Sequence, residues 1–324
     1  MPPKPGDGNP PVFERRNAPA SPPMTRDTRH VPVLLGAVLD ILDPRPAHIV
    51  ADCTLGLGGH AAAILRRIQP TGRLIGIDFD PANIAIAREK LADIGGTFEL
   101  HHGNFAALPT ILAQAGVEQV DAILADLGVA SPQIDDPARG FSYRQPGPLD
   151  MRMDPTRGRP AAAIINQIPQ RELESALLEL GDETDAPRIA ELIVHRRKTR
   201  PITTTEELTA IICQARDFTL QRAAGAKLHP AARTFQALRI LVNRELANLD
   251  RLLAVLPKCL RPGGTAAIIS FHSGEDRRVK TAFRDGLRGG IYAHISPDPI
   301  VADEPEQKLN PRSRSAKLRW ARVG

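Results

Sequence analysis

Three glycines and an aspartate have the spacing of a nucleoside-binding site. Gly56, Gly58 and Gly59 follow an apolar run at residues 49–51, and a helical pattern opens at about residue 61. Glycines let backbone N–H groups approach a ligand, and a helix start adds its positive dipole end. Asp78 ends the next apolar run, where a carboxylate accepts hydrogen bonds from both ribose hydroxyls. Loop and carboxylate together indicate an adenosine ligand, although the loop alone also fits a dinucleotide fingerprint.

A second polar turn, residues 126–133, follows the fourth predicted strand and reads Asp-Leu-Gly-Val-Ala-Ser-Pro-Gln. We expect Asp126 to contact the cofactor or to orient a substrate amine, and Gln133 to hydrogen-bond an adenine or a base edge. An ordinary strand-to-loop turn is the alternative. Function is favoured because the same sheet carries the glycine loop.

Aromatic and basic side chains are dense just after this turn. Phe141, Tyr143, Arg144 and Arg152 are of the types that stack on bases or pair with phosphates. Basic clusters at residues 196–200 and 312–322 fit either a solvated face or a phosphate-tracking surface. His272 leaves the fifth predicted strand near the expected cleft, where a lone histidine is more often structural than a base.

The elements that would position these residues alternate between strand and helix. Such alternation predicts a doubly wound parallel sheet with ligands at the carboxyl ends of its strands. Strands are predicted at 49–51, 73–77, 97–102, 120–125 and 263–272, with edge strands near 292–301 and 315–323. Helices are predicted at 31–42, 61–68, 83–91, 108–115, 170–180, 187–197, 205–215 and 232–255.

The domain organisation follows from where this alternation breaks. Residues 1–27 are proline-rich without an apolar period, which predicts a disordered tail. Residues 142–241 contain helical patterns and no convincing strand, so we expect an all-helical substrate-binding domain there. It would be inserted into an α/β domain formed by residues 28–141 and 242–324.

Composition sets the broad class. The chain has 324 residues, a net charge of +5 and three widely separated cysteines, which fits a reduced cytoplasmic setting. No apolar run approaches the length of a membrane span, and the start of the chain lacks the apolar core of a secretory signal. We therefore expect a soluble, intracellular protein without a membrane partner.

Several motifs in order resemble one family, the RsmH or MraW family of S-adenosylmethionine-dependent cytosine-N4 methyltransferases of small-subunit ribosomal RNA. The resemblance runs from about His30 to the C-terminus. The segments that carry it are residues 52–60, 126–133, 140–142, 147–158, 229–239 and 270–273.

The resemblance implies a Rossmann-like class I methyltransferase fold with an inserted all-helical substrate-recognition domain. The implied target is a cytosine N4 in the decoding region of small-subunit ribosomal RNA, methylated from S-adenosylmethionine. The family's cofactor positions fall on Gly58, Gly59, His60, Asp78, Phe105, Asp126 and Gln133. Of these Asp126 is also the candidate catalytic residue, and the candidate RNA contacts are Phe141, Arg144, Arg152, His229, Arg233 and His272. Ala130, Gly274 and the segment 182–187 depart from the family pattern.

The chemistry of an amine target agrees with the positions of the cysteines. Methylating carbon five of a pyrimidine requires a cysteine nucleophile, and none of the three lies on the rim after the fourth strand. Two other functions remain open, a nicotinamide dehydrogenase and a silent RNA-binding assembly factor. We expect ribosomal RNA, within the small subunit, as the partner, a monomer or homodimer, and no metal ligands.

Overall fold

The computed structural model describes residues 32–226 and 228–324. The predicted disordered tail, residues 1–27, lies outside them. The described strands form one seven-stranded sheet in the order β3-β2-β1-β4-β5-β7-β6. Its strands are β1 (Ile49–Asp52), β2 (Arg73–Asp78), β3 (Thr97–His102), β4 (Val120–Asp126), β5 (Leu260–Ser270), β6 (Tyr292–Ile295) and β7 (Lys317–Val323).

Helices connect and cover these strands. The α-helices are α1 (Leu35–Leu42), α2 (Gly59–Ile68), α3 (Pro81–Ala92), α4 (Leu108–Gln114), α5 (Ser131–Asp135), α6 (Ala161–Ile165), α7 (Gln170–Gly181), α8 (Ala186–Thr199), α9 (Thr205–Ala215), α10 (Leu220–Ala224), α11 (Ala232–Asn243), α12 (Glu245–Cys259), α13 (Ser273–Arg288) and α14 (Glu304–Leu309). Short 3₁₀ helices span Phe105–Ala107, Pro137–Arg139 and Pro311–Ser315. None of the helices in this part of the chain is both long and apolar enough to span a bilayer.

The sheet is buried on both faces, as its apolar strands predict. Alternate side chains enter different core clusters: Ile75 and Ile123 pack in one, and Leu74 and Leu124 in the other. Helices α4 and α12 cover the first face, and α1, α2 and α3 cover the second. Strands β1 to β5 run parallel, and β7 pairs antiparallel with β5 and β6. The predicted doubly wound α/β fold is confirmed.

The strand order changes direction at β1. This strand pairs with β2 on one side and with β4 on the other. In such sheets the crevice for a ligand opens at the carboxyl ends on either side of the reversal. Asp52, Asp78 and Asp126 are the last residues of β1, β2 and β4. The topology therefore brings three carboxylates to one rim.

The chain between β4 and β5 forms helices with a core of their own. Leu173 and Leu177 of α7, Ile189 and Ile193 of α8, and Leu238 of α11 are fully buried in it. Helix α9 begins at a capping box, in which Thr204 and Glu207 exchange side-chain and backbone hydrogen bonds. The boundaries of an inserted domain at 142 and 241 stay predictions.

Three predictions for the C-terminal third were wrong in detail. The helix expected over 232–255 is broken at Arg244, which has φ 53°, into α11 and α12. Strand β6 ends at Ile295, and β7 lies inside the sheet because β6 pairs on its outer side. Helix α13 was missed since its composition is strongly polar, and Val279 and Phe283 are its buried side chains in the core beneath the sheet.

Candidate active site

The glycine loop is held against the end of β2 by backbone hydrogen bonds. Leu55 N–H donates to Ile77 O at 2.8 Å, and Gly56 N–H donates to Asp78 Oδ2 at 2.7 Å. Gly58 has φ 72° and begins α2, and a Cβ there would lie 3.2 Å from the Ala87 Cβ of α3. Only glycine takes this conformation without strain, so the loop can keep its backbone close to a ligand.

Asp78 anchors this loop as well as facing the site. Its Oδ1 accepts hydrogen bonds from Asp80 N–H at 2.7 Å and from Asn83 Nδ2 at 3.2 Å. Burial raises the pKa of Asp78, and the N–H donors of Asp80 and Gly56 oppose that rise. Oδ2, with one N–H donor, keeps a lone pair for a ligand hydroxyl.

Two further carboxylates of the rim have oxygens without partners. Neither Asp52 Oδ2 nor Asp126 Oδ1 receives a hydrogen bond from any residue in the described ranges. Burial raises the pKa of Asp52 to about 7, with a further contribution from the charge of Asp78. Burial likewise raises the pKa of Asp126, and the charges of Asp52 and Glu275 add to the effect. Unpaired buried carboxylates are costly, so this rim fits a ligand that carries positive charge or N–H donors.

His60 lies beside Asp126 in a form that cannot neutralise it. Its Nε2 is 2.9 Å from Val33 O, which only accepts, so Nε2 carries the proton. Burial lowers the pKa of His60 to about 4, which leaves the ring neutral. Its Nδ1 then directs a lone pair at Asp126 Oδ2, 3.6 Å away. A ligand donor placed between these two acceptors would satisfy both.

Asp126 is also tied to the glycine loop. Its N–H donates to Thr54 Oγ1 at 2.5 Å. About 23% of its side chain remains exposed, so a ligand can reach the carboxylate. The structure thus brings the predicted residues Gly58, Asp78 and Asp126 to one site.

Gln133 makes hydrogen bonds within the protein through both atoms of its amide. Its Oε1 accepts from Ala130 N–H at 2.9 Å and its Nε2 donates to Asp80 Oδ2 at 2.9 Å, so both amide atoms are engaged. Arg139 donates to the same Asp80 oxygen at 2.7 Å. Gln133 therefore holds the turn after β4 against the start of α3, and the structure does not show an amide free to bind a base. Phe105 begins a 3₁₀ helix just after β3 and is partly buried against the core.

Among the predicted RNA contacts, the structure separates exposed residues from buried ones. Arg144 is exposed, with its guanidinium 5.9 Å from the centre of the Tyr143 ring. The Tyr143 ring also stacks on His229, with 4.5 Å between centroids. Phe141 is 9% exposed in the helical core, so the prediction that it stacks on a base does not fit its burial. His229 is also buried, and its ring packs against Tyr143.

The remaining basic candidates are partly paired within the protein. Arg152 donates to both carboxylate oxygens of Asp150, at 2.8 and 2.7 Å. Arg233 donates to Asp182 O at 3.0 Å. Arg319 of the C-terminal cluster is buried and bonded to Asp276 at 2.6 Å, so it belongs to neither a solvated face nor an RNA surface.

Sequence reasoning missed four residues of this site, Asp52, Asp80, Arg139 and Glu275. Asp52 had a signal, since it ends a predicted strand just before the glycine loop. Asp80 caps α3 through Ala82 N–H at 3.0 Å, a role typical of an aspartate before proline. Nothing in the sequence marks Arg139, which links Asp80 to the backbone carbonyls of Arg152 and Met153.

Comparison with known proteins gives consistent matches over most of the chain. Residues 27–323 match the family model of the MraW methylase family. The ribosomal RNA small subunit methyltransferase H of Heliobacterium modesticaldum is 43% identical over 308 residues, which cover 90% of this chain and 97% of that protein. The protein of the same name from Geobacter sp. strain M21 is 44% identical over 309 residues, covering 90% and 98%. Among solved structures, a SAM-dependent O-methyltransferase of Thermotoga maritima matches with a TM-score of 0.42 and 9% identity, covering 92% of this chain and 68% of that one.

Proposed function

The chain belongs to the MraW methylase family, and from that premise we propose that it transfers a methyl group from S-adenosylmethionine to N4 of a cytosine in the decoding region of small-subunit ribosomal RNA. The observation that carries the proposal is the rim where Asp52, Asp78 and Asp126 surround the glycine loop. The relatives named as ribosomal RNA small subunit methyltransferases support the RNA as substrate.

The residues of the rim fit the chemical groups of S-adenosylmethionine. When bound, this cofactor supplies a methyl group made electrophilic by a sulfonium. The partnerless oxygens of Asp52 and Asp126 suit its ammonium and sulfonium charges, because cations lower the cost of burying carboxylates. Asp78 keeps a lone pair for the ribose hydroxyls, and Phe105 offers an aromatic face near the end of β3 for the adenine. Gly58 and Gly59 let the backbone approach.

An exocyclic nitrogen is a better target for this site than a ring carbon. Methylation of carbon five needs a thiolate that attacks the ring, yet Cys53, Cys213 and Cys259 are all buried. Burial raises the pKa of Cys53 far above its usual range and that of Cys259 to about 11, so neither is a nucleophile at neutral pH. An amine target needs no covalent intermediate with the enzyme.

Asp126 is the residue that we propose orients the amine. The lone pair of cytosine N4 is delocalised into the ring, so the enzyme must align the nitrogen with the methyl group. The Asp126 carboxylate, which is partly exposed, can accept a hydrogen bond from N4–H and fix that direction. The low dielectric of the buried rim strengthens such a bond.

The helices between β4 and β5 offer the surface for RNA. Arg144 and Tyr143 lie in this part of the chain, and the Tyr143 ring stacks on His229. We propose that this surface docks ribosomal RNA within the small subunit, in the cytoplasm where subunits assemble. A rigid aromatic ring next to a cation is a common platform for an unstacked base.

The decisive experiment is labelled methyl transfer to small subunits that lack the modification, with identification of the modified nucleoside. We expect N4-methylcytosine, saturable binding of S-adenosylmethionine and no binding of NAD. Asp126→Asn should lower the single-turnover rate by about 100-fold. A silent RNA-binding factor would leave the RNA unmodified, and a dehydrogenase would bind NAD. Full single-turnover rate and cofactor affinity in Asp126→Asn would remove the aspartate from both roles.

A further inference from the structure

His272 and Glu275 form a pair of side chains at the end of β5. Glu275 is 3% exposed, and its Oε2 accepts a hydrogen bond from Phe271 N–H at 2.8 Å. Its Oε1 lies 3.3 Å from His272 Nε2, an ion-pair distance rather than a short hydrogen bond. The carboxylate is therefore fixed in place and directed at the imidazole. The histidine that was isolated in the sequence has a buried acidic partner.

This pair lies next to the rim that carries Asp126. In the sheet Asp126 stands opposite Ile269, and Leu127 N–H donates to Ile269 O at 2.9 Å. A Cβ on Gly128 would be 3.4 Å from the Phe271 ring, so the two segments remain in contact beyond the strands. His272 follows Phe271 directly. The backbone of His272 therefore leaves the sheet next to the turn that begins at Asp126, and the charge of Glu275 acts on the Asp126 carboxylate.

Other charged groups around the pair come from three more elements. Arg239 of α11 donates to both carboxylate oxygens of Glu245 of α12, each at 2.9 Å. The charges of Arg239, Glu245 and Asp126 all act on Glu275. Burial raises the pKa of Glu275, but His272, the Phe271 N–H and Arg239 outweigh it, so this pKa lies below its usual range. The pair therefore contains an ionised carboxylate next to the imidazole of His272.

The second ring nitrogen of His272 is available to a ligand. Nδ1 makes no hydrogen bond to any residue of ranges 32–226 and 228–324, and the side chain is 12% exposed. A neutral imidazole whose Nε2–H faces Glu275 has a lone pair at Nδ1. That nitrogen can accept a proton while the carboxylate holds the ring in position.

We infer that His272 accepts the proton released from the cytosine amine and that Glu275 is its positioning residue. This inference rests on the proposed function. The N4 lone pair forms the bond to the methyl carbon as the carbon–sulfur bond breaks, and sulfur keeps the electron pair of that bond. The positively charged N4 then gives one proton to Nδ1 of His272 and keeps the electron pair of the N–H bond. Water removes the proton from the imidazolium.

A purely structural role for Glu275 is the alternative to exclude. It is the third residue of α13, a position from which a side chain often accepts an N–H at the helix start. Glu275→Gln keeps an oxygen for Phe271 N–H, removes the charge and puts an amide NH2 in place of the oxygen that faces His272. Asp276→Asn is the matched control, because Asp276 is the next residue on the same helix but pairs with Arg319 of β7 instead.

The test is single-turnover methyl transfer to unmodified small subunits between about pH 5 and 9, with cofactor affinity and thermal unfolding measured for each full-length variant. We expect His272→Asn to lower the rate by about 100-fold at unchanged cofactor affinity and to remove the imidazole's part of the fall in rate at acid pH, leaving the part that comes from Asp126. Glu275→Gln should lower the rate by about 10-fold and move that fall to lower pH, since the imidazolium loses its carboxylate. Asp276→Asn should keep the wild-type rate and profile.

Each outcome separates the inference from the function on which it rests. Wild-type protein that makes no N4-methylcytosine would refute the function. Wild-type activity together with unchanged rates and profiles in both variants would refute the role of the pair. If His272→Asn does not fold, the dependence of rate on pH in Glu275→Gln tests the inference. A fall in rate at acid pH that is not shifted in this variant overturns it.

Discussion

Asp52 is a residue at which burial and charge conflict. It is 1% exposed, and its Oδ1 accepts only the Thr54 N–H at 3.2 Å while Oδ2 has no partner in the described residues. Without a cationic ligand the folded protein therefore holds a proton here that the unfolded chain would release. Cofactor binding relieves this conflict, which links the protonation of the rim to its occupancy.

The first prediction concerns pH and stability in the absence of cofactor. The pKa of Asp52 is raised from 3.8 to about 7, so its contribution to stability is greatest at acid pH and is lost as the pH rises through about 7. The free energy of unfolding of wild type minus that of Asp52→Asn should fall by up to about 4 kcal/mol from pH 4 to 7. Chemical denaturation at a series of pH values measures it.

The comparison with Asp52→Asn is needed because His60 acts in the opposite direction. Its pKa is lowered to about 4, so its contribution to stability is lost as the pH falls toward that value. This contribution is common to both proteins and cancels in the difference. A difference that stays level across the range would show that Asp52 is already ionised in the free protein.

At the scale of elements, the site depends on how α2 leaves the glycine loop. The helix starts at a left-handed glycine, close to α3 and directly after the segment that bonds to Asp78. The same glycine therefore lets α2 pack on α3 and leaves the backbone accessible to the cofactor. Helix packing and cofactor binding therefore both require a glycine at position 58.

We expect Gly58→Ala to lower stability and cofactor affinity more than Gly95→Ala, an alanine at another left-handed glycine. Gly95 has φ 73° and no atom within 4 Å of the position that a Cβ would take, whereas Gly58 has φ 72° and Ala87 Cβ at 3.2 Å. Gly95→Ala should cost only the backbone strain of about 1 kcal/mol. Gly58→Ala should cost about 1 kcal/mol more and weaken cofactor binding at least about 10-fold. Thermal denaturation and calorimetric titration test this, and equal effects in both variants would contradict it.

For the whole molecule, sequence periodicity was enough to predict the elements whose bounds are set by their own local sequence. Strand β3 and helix α9 have the predicted bounds, because one has strand character over its whole length and the other has a capping box. The break at Arg244 could not be predicted, since it depends on distant bonds: Asn243 Nδ2 donates to Met151 O at 2.7 Å and its Oδ1 accepts from Met153 N–H at 2.8 Å.

The candidate site also contains residues that local motifs predict and residues that they do not predict. Glycines and strand-terminal aspartates lie in local motifs, so the order of the strands was enough to place them together. Arg139 and Glu275 act through partners that are remote in sequence or through burial, and neither is visible in a pattern. Phe141, predicted as a possible stacking residue, is buried in the helical core, because aromatic type alone does not distinguish a stacking platform from a core side chain.

The last prediction concerns RNA binding by the whole protein. Arg144 is exposed beside Tyr143, so Arg144→Ala should weaken binding of unmodified small subunits and reduce the salt dependence of the affinity by about one ion. Arg188→Ala is the control, because Arg188 is exposed but paired with Asp217 at 2.9 and 3.0 Å. Filter binding over a range of salt concentrations measures both. Equal losses of affinity in Arg144→Ala and Arg188→Ala would indicate an effect of net charge rather than a contact made by Arg144.

The bonds of Asn243 restrict how this protein can change in length. One amide joins the end of α11 to the Met151–Met153 backbone, and Arg239 lies one turn earlier on the same helix, bonded to Glu245 across the break. An added residue between Arg239 and Asn243 would rotate these two side chains apart by about 100°. Natural insertions should therefore collect in the connections before α11, and the spacing from Arg239 to Glu245 should stay constant among relatives.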